Sequence, residues 1–113
     1  MGVKGVVWVG ASREAIARLP ASAKRELGAD LNAIQAGREA RDWKVMGSVG
    51  AGVIEIRVRA GGSYRLMYVA KYPEAVYVLH VFQKKSRKTA PLDLALARVR
   101  FAAMQRLRRE SPR

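Results

Sequence analysis

Between Val53 and Lys84 the chain writes three strand-like segments divided by two short breaks. That spacing constrains the fold more than any other feature of its 113 residues. "VIEIRVR" alternates apolar and polar residues, "GGS" follows it, "YRLMYVAKY" comes next, and "PEA" leads into "VYVLHVFQKK". A period of two marks strands with two unlike faces. Links this short cannot carry a parallel crossover, so the three segments are expected to pair as an antiparallel meander.

Upstream, "VKGVVWV" is β-branched and aromatic, and reads as a further strand broken by "GAS". Ser12 is placed to cap a helix through "REAIARL", and Ser22, after Pro20, to cap the next. From Ala21 to Gln35, Ala23, Leu27, Leu31 and Ile34 recur at spacings of three and four, which predicts one buried helix face ending near Gly37. Residues 37–52 read as an irregular connection with Trp43 and Met46 tucked against the core. After the meander, Pro91 suits a helix start, and Leu92, Leu96, Val99, Ala103 and Leu107 form a stripe expected to be core. The expected order is β-α-α-β-β-β-α. It describes one α+β domain, residues 1–113, with a small, mostly antiparallel sheet and helices packed on one face.

If one face is covered, the other is open, and strand alternation decides what it shows. On the first meander strand Glu55, Arg57 and Arg59 share the polar face; on the second, Arg65 shares a face with Met67. On the third, Val76, Val78, His80 and Phe82 fall on one side and Tyr77, Leu79 and Val81 on the other, with Lys84 continuing the first set. The open face is therefore expected to gather Arg57, Arg65, His80, Phe82 and Lys84, with Lys85, Arg87 and Lys88 on the loop at its edge. Such a surface suits phosphate contact with base stacking on the aromatic. His80, the chain's single histidine, taken alone reads more readily as a partly buried, satisfied residue than as a catalyst. Arg57 and Arg59 alone could be solvated strand residues. Arg98, Arg100, Arg106, Arg108 and Arg109 read as the wet face of the last helix.

The global charge agrees with a polyanion partner. Lys and Arg number 22 against nine acids, a net of +13, and self-repulsion of that size destabilises a compact chain unless a partner uses it. With no cysteine, thiolate metal sites and disulfides are excluded, and no cofactor is expected. "GSVGAG" lacks the Lys-Ser or Lys-Thr of a phosphate-binding loop. "MGVKGVVWVG" is too short for a secretory signal and lacks the Ser or Thr of a myristoylation site, and no apolar run is long enough to span a bilayer. A cytoplasmic protein is the expectation.

These residues carry a resemblance. "EIR", then "YRLMY", then "VYVLHVFQKKSRKTAP" is similar to the pattern of the phage-derived, HigB-like branch of the RelE toxin superfamily, here with Ala90 inserted before Pro91. The likeness runs from about Trp8 to Arg100. It implies a microbial-ribonuclease-like fold and the toxin of a type II toxin–antitoxin pair. That is an endonuclease acting on mRNA, mostly at the ribosome, and held inactive by a cognate helix-turn-helix antitoxin. The expected assembly is a monomer alone and a hetero-oligomer with the antitoxin. Carried over by position, Arg57, Arg65, Lys84, Lys85 and Lys88 match the basic functional positions, and Phe82 matches the aromatic beside them.

Cutting RNA without a metal needs a base for the 2′-hydroxyl, cations for the charged phosphorane and an acid for the leaving 5′-oxygen. Arginine holds the phosphorane but cannot serve as base, whereas crowding among cations tunes a lysine toward proton transfer. The expectation is that Arg57 and Arg65 clamp the phosphate and that Lys84 or Lys85 moves the proton, with His80 competing for that role. Arg59, Phe82, Arg87 and Lys88 would bind RNA around them. Lys24, Arg25 and the arginines of the last helix would meet ribosomal RNA. Two rivals share the same surface: a basic module that binds nucleic acid without cutting it, and a protein whose positive face exists only for an acidic partner.

Overall fold

The computed structural model describes residues 3–111. Met1 and Gly2, on which the N-terminal signal and lipidation readings begin, lie outside the described residues, as do the last two residues of the single-domain reading. The elements are β1 (Gly5–Trp8), α1 (Ser12–Ala17), α2 (Ala21–Gln35), β2 (Trp43–Val45), β3 (Val53–Arg59), β4 (Ser63–Val69), β5 (Ala75–Lys84) and α3 (Pro91–Glu110). They form an α+β domain around a five-stranded mixed sheet of order β1-β5-β4-β3-β2. The meander β3-β4-β5 is antiparallel as expected, and β1 pairs with β5 in parallel, the chain between them running through α1, α2 and strands β2 to β4.

The order carries one strand more than the sequence pattern announced. Residues 43–45 extend the sheet as β2, antiparallel to β3, with Trp43 opposite Ile56. As an edge strand it leaves Trp43 exposed rather than tucked against the core, while Met46, half-buried, does pack against it.

The larger correction concerns the layers: helices cover both faces of the sheet. On one face α1 and α2 bury Ala23, Leu27, Leu31 and Ile34 against Ile56, Val58, Leu66, Tyr68, Val76, Val78 and Val81. On the other, α3 lays Ala97 and Met104 on Val53, Met67, Val69, Tyr77 and Leu79. The last helix returns across the back of the sheet from the end of β5, so the face expected to be open is half covered. Its far end stays uncovered, and that is where the basic residues are.

Local chemistry fixes these elements. The α2 stripe is buried as the spacing predicts, and Gly37 ends the helix with φ +83°. There the amides of Gly37 and Arg38 bond back to the carbonyls of Ile34 and Ala33, 3.0 and 2.8 Å. Ser12 and Ser22 do not cap. Ala11 and Pro20 hold the cap positions, and the Ser12 hydroxyl, fully buried, donates instead to the Val78 carbonyl at 3.1 Å, tying α1 to β5. At the C-terminal end of α3, Arg108 donates to Glu74 at 2.6 Å and lies 3.4 Å from the Tyr72 ring centroid, anchoring the helix to the β4–β5 connection. That hydrogen bond holds the Glu74 carboxyl at about 2, below the usual carboxylate range.

The predicted core stripe of α3 is not its core. Leu92, Val99 and Leu107 are exposed, and the helix buries Ala97 and Met104 instead, with Leu94, Phe101 and Ala103 partly covered. Neither Arg100 nor Arg108 belongs to a wet face, since both reach into contacts with the sheet side.

Candidate functional site

A bulge in β5 sets the site. Met67 pairs with His80 and Tyr68 with Val78, leaving Leu79 as the extra residue. A period-two strand that gains a residue reverses its faces beyond that point. Val76 and Val78 therefore face α2, Tyr77 and Leu79 face α3, and after the bulge Val81 points toward α2 while Phe82 joins the α3 side. Strict alternation had grouped His80 and Phe82 with Val76 and Val78; the bulge separates them. It brings the end of β5 onto the same face as Glu55, Arg57, Arg59 and Arg65.

The bulge is held from α3. Arg100 Nη1 donates to the Leu79 carbonyl at 3.2 Å and to His80 Nδ1 at 2.9 Å. Since a guanidinium only donates, His80 Nδ1 must be the acceptor, so the ring proton sits on Nε2 and goes to Asp93 Oδ1, 2.7 Å away. His80 is 5% exposed, neutral and fixed in one tautomer. Burial pushes its pKa below the ordinary imidazole value, against Asp93, which raises it, and with help from the Arg100 charge. Its ring stacks on Phe82 at 5.0 Å and 19°. Phe82 is itself only 8% exposed, so the open aromatic expected for base stacking is part of the floor, one face taken by His80.

On that floor stand the cations. Arg57 and Arg65 are directly opposite on β3 and β4, and Arg65 is opposite Phe82. Like charges placed across a strand pair cost stability, so this register demands a counter-charge. Glu55 supplies it: its Oε1 is 3.4 Å from Arg65 Nε and 3.8 Å from Arg57 Nε. Both members of the inner pair resent their burial. Glu55 is 4% exposed and its pKa is raised, because desolvation outweighs the pull of Arg65, Arg57, Lys84 and Lys44. Desolvation likewise lowers that of Arg65, against the attraction of Glu55. Glu55 Oε2 and Arg65 Nε have no hydrogen-bond partner; the 3.4 Å approach is an ion pair without bonding geometry. Arg65 Nη1 donates to Ser63 Oγ at 2.8 Å, and Asp42 on the lip of β2 pairs with Arg57 at 3.6 Å.

Two recesses open above this floor. One, of about 260 Å³, is lined by Asp42, Arg57, Val58, Arg59 and Arg65. The other, of about 460 Å³, is lined by Arg59, Ser63, Arg65, Lys84, Lys85, Ser86 and Arg87. They share Arg59 and Arg65 and so form one trough. Lys84 Nζ donates to the Arg87 carbonyl at 2.7 Å, folding the basic loop over the trough's end. Of the residues singled out from sequence, Arg57, Arg59, Arg65, Lys84, Lys85 and Arg87 converge here. Lys88 is exposed on the loop beyond the lining, and His80 and Phe82 lie beneath.

Residues 14–102 match a family model described as phage derived protein Gp49-like (DUF891). The chain belongs to this family. No curated protein matches it. The matched span of this Gp49-like chain runs from α1 well into α3, and so includes the whole trough and the Asp93–His80–Arg100 support. Sequence reasoning missed Asp93 and Arg100 as parts of the site. Their seven-residue separation on a helix put them on one side, and that was the available signal. Asp42 and Ser63 gave none, being ordinary turn residues in sequence.

Among the described residues no group of three or more His, Asp or Glu side chains is placed to hold a metal ion, and no helix is long and apolar enough to cross a membrane.

Proposed function

We propose that the chain is the toxin of a toxin–antitoxin pair and that it cleaves mRNA in the trough, probing message at the ribosome. The family is one of toxin–antitoxin toxins related to RelE-like toxins, which supports an antitoxin partner. The observation that carries the reading is the convergence of six cations on one trough over a buried carboxylate. A fold seeking stability alone does not set Arg57 against Arg65. A bound phosphodiester relieves that repulsion, and bidentate guanidinium contacts suit its two free oxygens.

The reaction is a transesterification. The RNA 2′-oxygen loses its proton and bonds to phosphorus, the bond from phosphorus to the 5′-oxygen breaks, and that oxygen takes up a proton. Arg57 and Arg65 hold the phosphorane charge, and Lys84 or Lys85 moves the proton. His80 takes the role of support instead, because its acceptor nitrogen is filled by Arg100 and its donor by Asp93. Arg59, Arg87 and Lys88 track the backbone on either side.

The test is induced expression with mapping of message 5′ ends, comparing Arg57→Ala and Lys84→Ala with the parent chain. Both side chains lie outside the buried pair, so the fold should survive, as circular dichroism would verify. Loss of one phosphorane-holding donor costs on the order of 10² to 10³ in rate. Undiminished cleavage by both variants would remove this active site. The sequestered His80 favours one rival, a basic module that binds nucleic acid without cutting; new 5′ ends in purified message treated with the chain would exclude it.

A further inference from the structure

The hairpin between β3 and β4 sets one small neutral residue among the cations of the trough. The Ala60 amide donates to the Gly62 carbonyl at 3.0 Å, so the turn closes on Arg59 and Ser63 as the last opposed pair. On its other side Ser63 is opposite Lys84 of β5. Arg65 follows two residues later and so shares its face. Ser63 is thus ringed by three cations, half-buried, and lines the larger recess together with them.

A carboxylate at this position would pair across the strands with both Arg59 and Lys84, and opposed unlike charges stabilise a sheet. Glu55 serves Arg57 and Arg65 in that way further along the same face. Serine instead leaves Arg59 and Lys84 without an acid partner among the described residues. It also puts no negative charge where a phosphate would enter.

Proton accounting shows what the hydroxyl can do. A serine hydroxyl has one proton to give and two lone pairs to accept with. Arg65 Nη1, which only donates, gives to Ser63 Oγ at 2.8 Å, and that bond leaves the Ser63 proton unused. Among the described residues the proton has no acceptor. The other serine of the recess differs. Ser86 gives its proton to the Lys88 carbonyl at 2.9 Å, and Lys84 commits one of its own to the Arg87 carbonyl. A hydroxyl that accepts from a guanidinium is polarised into a stronger donor.

We infer that Ser63 touches the reacting phosphate: its hydroxyl, held by Arg65, donates to a non-bridging oxygen of the phosphodiester lying in the trough. This deepens the ribonuclease reading and rests on it for the reaction. In the phosphorane that oxygen carries more negative charge than in the diester. The bond therefore strengthens toward the transition state and favours turnover over simple binding.

Three variants separate giving from accepting. Ser63→Ala does neither and Ser63→Thr does both. Ser63→O-methylserine, introduced at an amber codon, still accepts from Arg65 but has no proton to give. Circular dichroism verifies the fold of each. Binding is read by NMR titration of the full chain with a 2′-deoxy dinucleotide, whose single phosphodiester has no 2′-hydroxyl to attack it, following the amides of residues 63 and 65. Saturable shifts are expected in the parent and in Ser63→Thr, with affinity severalfold weaker in the other two. On RNA those two should cut on the order of 10² more slowly, chiefly in kcat. Parent-like affinity and rate in Ser63→O-methylserine, with loss only in Ser63→Ala, would overturn the contact and leave Ser63 a brace for Arg65. Parent-like behaviour of Ser63→Ala would overturn it too, as would unmoved amides in the parent. A parent chain that binds the dinucleotide but cuts no RNA would end the ribonuclease reading and the catalytic role with it, while the titration still decides the contact.

Discussion

Replacing Arg100 by methionine removes one guanidinium that serves two acceptors. The Leu79 carbonyl, freed by the bulge, and His80 Nδ1 lie 3.2 and 2.9 Å from its Nη1. Methionine keeps the apolar stem and donates nothing. An acceptor left buried without a partner costs about 1–3 kcal/mol, so the two together cost about 2–6 kcal/mol. Unfolding entropy for a chain of 113 residues gives roughly 4 °C per kcal/mol, so the melting temperature should fall by about 8–25 °C. A second readout separates this mechanism from simple packing. His80 is the single histidine, so one proton NMR titration reports it without assignment. In the parent chain the neutral form is favoured, chiefly by burial and further by Arg100. Between the depressed folded pKa and the ordinary value of about 6.5, the unfolded chain therefore binds more protons. The stability contributed by His80 is full above that range and is lost as pH falls through it. In Arg100→Met one lowering cause is gone and Nδ1 is free to take a proton opposite Asp93, so the midpoint should move up and the acid loss of stability should shrink. A melting temperature within 2 °C of the parent, or a large drop with an unmoved His80 midpoint, would refute the assignment of Arg100 as donor to the bulge and the ring.

Two further outcomes follow from the same geometry. Glu55→Gln tests the buried pair: the Glu55 pKa is raised in the folded chain, so its stabilising share is present below the unfolded value of about 4.3 and is lost as pH rises through the folded one. Stability of the parent minus that of the variant, from urea unfolding, should therefore decline with rising pH from about 4.3 upward; a flat or rising difference would refute the sign. Gly50→Ala should lower the melting temperature by about 4–12 °C, from about 1–3 kcal/mol of overpacking, because an added Cβ would sit 2.7 Å from three atoms of the Phe101 ring on α3. An unchanged melting curve would mean that α3 is not seated against that loop.

The parts of this fold that were legible in sequence are those where one periodicity ran without a competitor. α2 shows a single apolar row closed by Gly37, and the meander shows alternation with breaks too short for anything but hairpins. α3 carries two apolar rows, and the longer, more leucine-rich one is the outer. Its inner row is interrupted by Arg100, which reads as a solvent residue until the Leu79 carbonyl and His80 are seen to need a donor. The bulge itself left no mark, since no glycine or proline stands between Tyr77 and Phe82 to announce it. Without it alternation gives the wrong partners for Val76 and Val78. The cations of the trough were nonetheless found, because Arg57, Arg59 and Arg65 lie on strands whose parity is unbroken, and Lys84 is carried to them past the bulge. β2 was missed because three residues are too few for the alternation of Trp43, Lys44 and Val45 to stand out, and its apolar pair is exposed on an edge that joins the sheet through the backbone.

The trough is expensive to keep, and the way its cost is distributed argues for use. Arg57 opposite Arg65 is an unfavourable register, and Glu55 offsets it only by entering the sheet as a desolvated carboxylate with one oxygen unpartnered. Buried ion pairs of this kind generally stabilise less than apolar side chains of the same volume, so packing alone gives no reason for the three charges. What the arrangement does provide is a pair of guanidinium groups that need not reorganise to meet an anion. Arg65 is braced by Ser63 and Glu55, Arg57 by Asp42 and Glu55, and the floor beneath by Phe82 on His80. Pre-placed cations in a partly dry recess stabilise a charge that develops during reaction better than flexible ones in water do. The two apolar cores, one on each side of the sheet, supply the stability that lets a small domain keep such a surface.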